Sequence, residues 1–236
     1  VVLTVSDVNG NVATCNATVT VEDNISPEAV CRDITVSLDN LGNASITSDQ
    51  IDNGSSDACG IQSMVANTTT FNCSNIVVNT VTLTVTDENG NTDICTSQVT
   101  VADNVAPNVV CRDITVQLDA GGMANIAEDA VNNGSSDACG IQSIDTDVTT
   151  FDCGDIGSNT VVLTITDNNN NVATCQAVVT VQNTMPPAVT CRNITVDLDV
   201  NGDAVITPQD VNNSNTSNCG TPVLSLSRTT FDCGDI

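Results

Sequence analysis

Histidine, lysine, tryptophan and tyrosine are all absent from the sequence, and its four basic residues are arginines: Arg32, Arg112, Arg192 and Arg228. Without histidine or lysine the commonest general bases are missing, and the lack of tyrosine removes a further proton donor. Paired carboxylates could still serve a glycosidase, but such a pair would recur in every copy of the repeat described below, so the expectation is that the chain is no enzyme. With no histidine and no CxxC pair, a zinc-type ligand set is excluded. No run of eighteen apolar residues exists, so no helical membrane span is expected. Only three aromatic residues occur in 236, all phenylalanine, which leaves Val, Ile, Leu and Ala to build any core. Positive charge is nearly missing too: 29 acids against 4 bases give a formal charge of −25, which repels nucleic acid and disfavours insertion into anionic membrane.

What remains is acid, cysteine and repetition. Aspartate outnumbers glutamate 25 to 4, which favours turns, caps and oxygen-ligand loops over helix surfaces. Twelve cysteines with no metal partners point to disulfides, and so to an extracellular location, secreted or at the cell surface. The segment NGSSDACGIQS at residues 53–63 returns letter for letter at 133–143. Cysteines at 15, 31, 59 and 73 recur at 95, 111, 139 and 153, and again at 175, 191, 219 and 233. A fixed period of 80 residues means a tandem array of similar small domains. Ile236 stands in the register of Ile156, so the chain is three periods less four residues and reads as a window on a longer repetitive polymer. The other reading is that residues 1–21 of one molecule complete the last repeat of another, as in strand-donation fibres.

Within one copy the pattern is all-β. Val81, Leu83 and Val85 alternate with Thr82, Thr84 and Thr86, and Cys95, Ser97, Val99 and Val101 keep the same period of two. Between these runs DENGN (87–91) carries the Asn-Gly hairpin signal, repeated as DVNGN at 7 and weakened to DNNNN at 167, where Asn170 must stand in for glycine. Ile34, Val36 and Leu38 form another inward row, and Cys31 is out of phase with it, which predicts a kink or bulge near Asp33. Short strands joined by Asn, Asp, Gly and Ser fit a small β-sandwich. Pro27, Pro107 and the Pro186-Pro187 pair follow the last strand of each copy and set the boundaries. Residues 1–22 are then the terminal hairpin of a preceding repeat, 23–102 and 103–182 are whole repeats, and 183–236 is a partial one.

Pro27, Cys31, the DACG at 57, the phenylalanine before Cys73, and the ending TVTDENGN, Cys95 and VTV resemble a hyalin (HYR-type) repeat. That family is an immunoglobulin-like module of large secreted and surface proteins, including long adhesins of gliding Bacteroidetes. The resemblance covers the chain copy by copy; it implies tandem immunoglobulin-like β-sandwich domains for spacing or adhesion, with no catalytic residues to carry over.

In such a sandwich the first strand starts at the pole where the last hairpin turns, so Cys31 is expected to bond Cys95, and Cys111 to bond Cys175. Cys59 then pairs by exclusion with Cys73, Cys139 with Cys153 and Cys219 with Cys233, leaving Cys15 and Cys191 unpaired within the window. The competing scheme joins Cys15 to Cys31, Cys95 to Cys111 and Cys175 to Cys191 across the linkers.

No cofactor is required by these residues; calcium is the one ion they suit. Asp23, Asn24, Asp103 and Asn104 lie in linkers, and Asp87 and Asp167, together with Asp57 and Asp137, are brought toward the same pole, offering oxygens to a hard cation. Against this, the third linker reads Gln182-Asn183-Thr184, and the third copy carries SNCG for DACG, with Asn218 read in place of the acid. Arg32, Arg112 and Arg192 are each expected to lay their stems on the core and pair with an acid of their own domain. The function expected is a structural extracellular filament or stalk, part of a longer surface protein, whose partners are neighbouring repeats or like chains. The alternative is an adhesin whose repeats bind a glycan or surface, with or without calcium.

Overall fold

The computed structural model describes every residue from Val1 to Ile236 and divides into two compact units, Val1–Val105 and Ala106–Ile236. Both are all-β, in sandwich-like sheets, as the alternation requires. The first unit opens with β1 (Val2–Ser6) and β2 (Val12–Asn16), a hairpin whose residues are all exposed. It continues through β3 (Ile34–Ser37), β4 (Asn43–Ser45), the single helical turn α1 (Ser48–Ile51), β5 (Ile61–Ala66), β6 (Thr70–Asn72), β7 (Val77–Asp87) and β8 (Thr92–Ala102). One sheet has the order β3-β8-β7-β5, with β3 running parallel to β8, and β4 pairs with β6 in a second ladder.

The alternating runs explain the core. Val81, Leu83, Val85 and Val99 are fully buried, while the threonines between them are not. Leu38, Ile46, Ile51 and Phe71 close the other side. Each such side chain contributes roughly 1.5–3 kcal/mol on burial, so a sandwich with one phenylalanine relies on many aliphatic contacts. The kink expected near Asp33 is where the chain changes ladder: Cys31 bridges Asp52, and from Ile34 onward the strand pairs with β8. Asp33 itself accepts a hydrogen bond from the Gln98 amide at 2.7 Å.

The second unit repeats this order. It contains β9 (Ile114–Gln117), β10 (Met123–Asn125), β11 (Ile141–Thr146), β12 (Thr150–Asp152), β13 (Gly157–Asp167) and β14 (Val172–Gln182), with a β11-β13-β14-β9 sheet and a β10-β12 ladder. Val161, Leu163, Ile165 and Val179 are fully buried. Asn170 takes the left-handed conformation at φ 70°, where its counterparts Gly10 and Gly90 have 85° and 89°. The unit ends with β15 (Ala188–Cys191), β16 (Asp203–Val205), a second helical turn α2 (Pro208–Val211), β17 (Asn212–Thr216) and β18 (Thr230–Asp232), which pair only as β15-β17 and β16-β18. Residues 192–199 and 221–226 form no strand.

Eight of the twelve cysteines are in disulfides. Cys31 bonds Cys95 and Cys111 bonds Cys175, each closing 64 residues. The remaining pairings differ from the exclusion argument. Cys153 bonds Cys219, 66 residues on, so neither Cys139–Cys153 nor Cys219–Cys233 forms. Cys73 is disulfide-bonded, but Cys59 is free, so that pair is absent as well. The reason is positional: Cys219 lies beyond the linker, where residues 183–219 pack against β10–β12, and exclusion within one copy could not reach it. Cys15, Cys59, Cys191 and Cys233 are free and exposed. No helix is long and apolar enough to cross a membrane.

Candidate functional site

The residues singled out for oxygen ligation collect around the β7–β8 turn. Asp87 is fully buried, and its Oδ1 accepts hydrogen bonds from the backbone amides of Asn89 and Asn91, both at 2.8 Å. Its Oδ2 accepts from Asn91 Nδ2 at 2.8 Å, and the same amide group lies 3.2 Å from the carbonyl oxygens of Asp23 and Ile25. Asp87 therefore shapes its turn, and Asn91 ties that turn to the linker. Burial raises the Asp87 pKa, but the hydrogen bonds from Asn91, Asn89 and Gly90 outweigh it, and the net shift is downward from 3.8. Asp167 makes the same turn: Oδ1 accepts from the amides of Asn169 and Asn171, and Oδ2 from Asn171 Nδ2.

Asp23, Asp57 and Cys59 do converge, with one ligand atom from each lying within 4.8 Å of the others. Each acid spends one oxygen locally, since Asp23 Oδ1 accepts from the Ile25 amide at 3.0 Å and Asp57 Oδ1 from the Cys59 amide at 2.7 Å. The Cys59 thiol is pushed up by its hydrogen bond to the Asp23 carboxylate and by the charge of Asp23, then by burial and by Asp57 and Asp87. This corner can share a proton or a cation between two carboxylates. Asp103 Oδ1 accepts from the Val105 amide and Asp137 Oδ1 from the Cys139 amide, while Asn104 donates to Ser37 Oγ. Asn24 is exposed.

Within the second unit the corresponding corner is built from neutral groups. The 160-residue offset sets Ser217, not Asn218, in the place of Asp57, and Ser217 Oγ accepts from the Cys219 amide at 3.2 Å as the acid does. Asn183 and Asn218 hydrogen-bond through their side-chain amides at 3.0 and 3.1 Å, and Asn218 Nδ2 also donates to the Asp119 carbonyl at 2.9 Å. Gly122 completes the seat. It has φ 76°, and a Cβ there would stand 2.6 Å from Asn218 O and 2.8 Å from Cys153 Sγ. The Cys153–Cys219 disulfide fixes this seat, so β10–β12 and the segment after Pro187 are covalently joined. Sequence reasoning missed the joint; the small residue facing each sulfur, Gly122 with Cys153 and Gly202 with Cys233, is its only local signature.

The arginines also differ from expectation. Arg32 Nε donates to the Gln50 carbonyl at 2.8 Å, Arg112 to Ala130 and Arg192 to Asp210, so each caps backbone carbonyls of the segment that packs beside it rather than pairing with an acid. Only Arg228 makes an ion pair, with Asp235, and it stacks 4.5 Å above Phe231.

No protein-family model and no curated protein sequence matches the chain. Similar solved structures include an endo-fucoidan hydrolase of glycoside hydrolase family 107, at 13% identity, 78% of this chain, 34% of that one and TM-score 0.28. Extracellular cadherin domains 1–4 of protocadherin gamma B7 align at 10% identity over 77% of this chain and 57% of that one, TM-score 0.33. Immunoglobulin domains 1–4 of Sidekick-1 align at 13% identity over 70% and 52%, TM-score 0.23. The chain thus spans between 34% and 57% of the length of these three. At these values the likeness is one of fold class, the immunoglobulin-like and cadherin-like β-sandwich repeat.

Proposed function

We propose that the protein is a structural extracellular filament or stalk of disulfide-stapled, hyalin-type immunoglobulin-like repeats. The observation that carries the reading is the Cys153–Cys219 bridge, which joins one repeat to the next rather than closing a loop inside either. A staple at a joint restricts bending between successive domains, which a spacer needs and a lone binding domain does not. The acidic surface, at a formal charge of −25, keeps such a thread soluble, and eight disulfide-bonded cysteines suit an oxidising exterior. An adhesive grip by the repeats themselves is disfavoured by their lack of aromatic side chains, which dominate recognition surfaces. Electron microscopy of the isolated chain tests this: extended particles that become more flexible on reduction, with no signal on a glycan array, are expected. Compact particles, or a specific glycan ligand, would replace the reading with a binding one.

Calcium is the second reading, favoured by the Asp23–Asp57 corner, where two carboxylates meet in the first unit while the second uses neutral groups. Asp23, Asp57 and Asn24 would supply oxygens, with water completing the shell; the Cys59 thiol is too soft a donor for this ion. A thermal midpoint that rises with calcium, and no longer does so in Asp57→Asn, is expected. Identical melts in calcium and in chelator would remove the ion.

A further inference from the structure

The first unit presents an apolar hairpin that packs against nothing. Val1, Leu3 and Val5 are 77%, 60% and 59% exposed, whereas Val81, Leu83 and Val85, in the same sequence register, are fully buried. Beyond β2, Val19 and Val21 are 62% and 90% exposed, and residues 17–22 form no strand, although their counterparts Val99 and Val101 lie within β8. Unsatisfied strands with an apolar face are surfaces that seek a partner.

The second unit presents the complementary defect. Residues 192–197 (RNITVD) match the segments containing β3 and β9, yet form no strand, because β3 and β9 exist by pairing with β8 and β14 and no such strand lies beside them here. Residues 221–226 stand in the register of β5 and β11, which pair with β7 and β13, and they too are unpaired. Between them lies an apolar cleft lined by Val189, Cys191, Val211, Leu224 and Leu226.

We infer that the hairpin of residues 1–22 of one copy docks into the open half-sandwich of residues 183–236 of a second copy, completing it by strand addition. This rests on the filament reading above and supplies its mode of end-to-end assembly. The β5–β7 ladder pairs Met64 with Val85 and Ala66 with Leu83, and the same register sets Leu224 against Val5, and Leu226 against Leu3, of the incoming hairpin. The β3–β8 ladder pairs Ile34 with Val99 and Val36 with Val101, which sets Ile194 against Val19 and Val196 against Val21.

The free cysteines supply an independent check on this register. In both complete sandwiches a cysteine bonds its partner 64 residues on; at an offset of 240 residues between copies, Cys191 meets Cys15. The joint bridge spans 66 residues, and at the same offset Cys233 meets Cys59. One offset therefore pairs all four free thiols. Each new S–S bond takes two electrons and two protons from two thiols, transferred to a low-molecular-weight disulfide such as oxidised glutathione, which leaves as two thiols.

The test uses the full chain in a glutathione redox buffer. Non-reducing electrophoresis is expected to show a ladder in steps of 24.3 kDa that collapses on reduction, with Cys15–Cys191 and Cys59–Cys233 as the mapped inter-chain links. Leu3→Asp disables the donor and Leu224→Asp the acceptor; each alone is expected to be monomeric, and a mixture of the two to stop at a dimer. The Cys15→Ser/Cys191→Ser variant is expected to keep its oligomers by light scattering while losing the covalent link. A monomeric chain, random pairs such as Cys15–Cys15, or a ladder undiminished in Leu3→Asp would each overturn the inference. A monomer that is nonetheless extended in micrographs would overturn the docking and leave the filament reading standing.

Discussion

Val77 and Gly157 hold the same backbone conformation, φ 118° and 116°, at the first residue of the long strand in each unit. Glycine adopts it freely, but a β-branched residue does so only under strain. Val77 is 67% exposed and gains little from burial in return. Val77→Gly is therefore expected to stabilise the first unit by about 1 kcal/mol, the balance of ~1–3 kcal/mol of strain against glycine's entropic cost. Gly157→Val should destabilise the second unit by a similar amount. Denaturant midpoints at constant slope give both values.

Acid should act on the β7–β8 turn. The folded-state pKa of Asp87 is depressed below 3.8, so its contribution to stability is complete above the unfolded value and is lost as pH falls through the folded one. Melting temperatures measured downward from pH 5 should therefore decline below about pH 4. Asp87→Asn cannot offer two acceptor oxygens to Asn91 and the turn amides; it is expected to be less stable at neutral pH, with the gap to the parent chain narrowing in acid.

The Cys31–Cys95 and Cys111–Cys175 bridges each close 64 residues around an aliphatic core. A loop of that length gives about 4 kcal/mol on the chain-entropy account. The double variant Cys31→Ser/Cys95→Ser should lose most of that in chemical denaturation, a large share of what a small domain has. The first unit should then melt well below the second in a calorimeter.

Gly122 is the steric test of the joint. A methyl group there meets Asn218 O and Cys153 Sγ at less than 3.0 Å, on a backbone that L residues rarely adopt. Gly122→Ala should slow re-formation of the Cys153–Cys219 bridge after reduction and raise amide exchange around Asn218, while β13 and β14 stay protected. Equal reoxidation rates in variant and parent would show that the seat tolerates the methyl group.

Much of the fold was legible because its signals are local. Alternation gave the strands of residues 77–102 and 157–182, and Asp-x-Asn-Gly-Asn gave the turn, down to Asn170 standing in for glycine. What escaped depends on neighbours distant in sequence. Cys219 pairs with Cys153 because a linker folds back across β10–β12, and no spacing within one copy encodes that. Asp87 and Asp167 read as ion ligands by composition, yet their oxygens are occupied by turn amides, which only the folded loop decides. The arginines found carbonyls rather than acids because the segments ending near Gln50 and Asp210 present them at shorter reach.

The sulfur bridge at the joint also changes what a cut can do. Cys153 and Cys219 enclose residues 154–218, so the Pro186-Pro187 connector is not the sole covalent route through the second unit. A protease that nicks the connector leaves both fragments attached, and only a cut combined with reduction releases them. For a molecule exposed to extracellular proteases, the most accessible stretch of backbone is then one it can lose without coming apart.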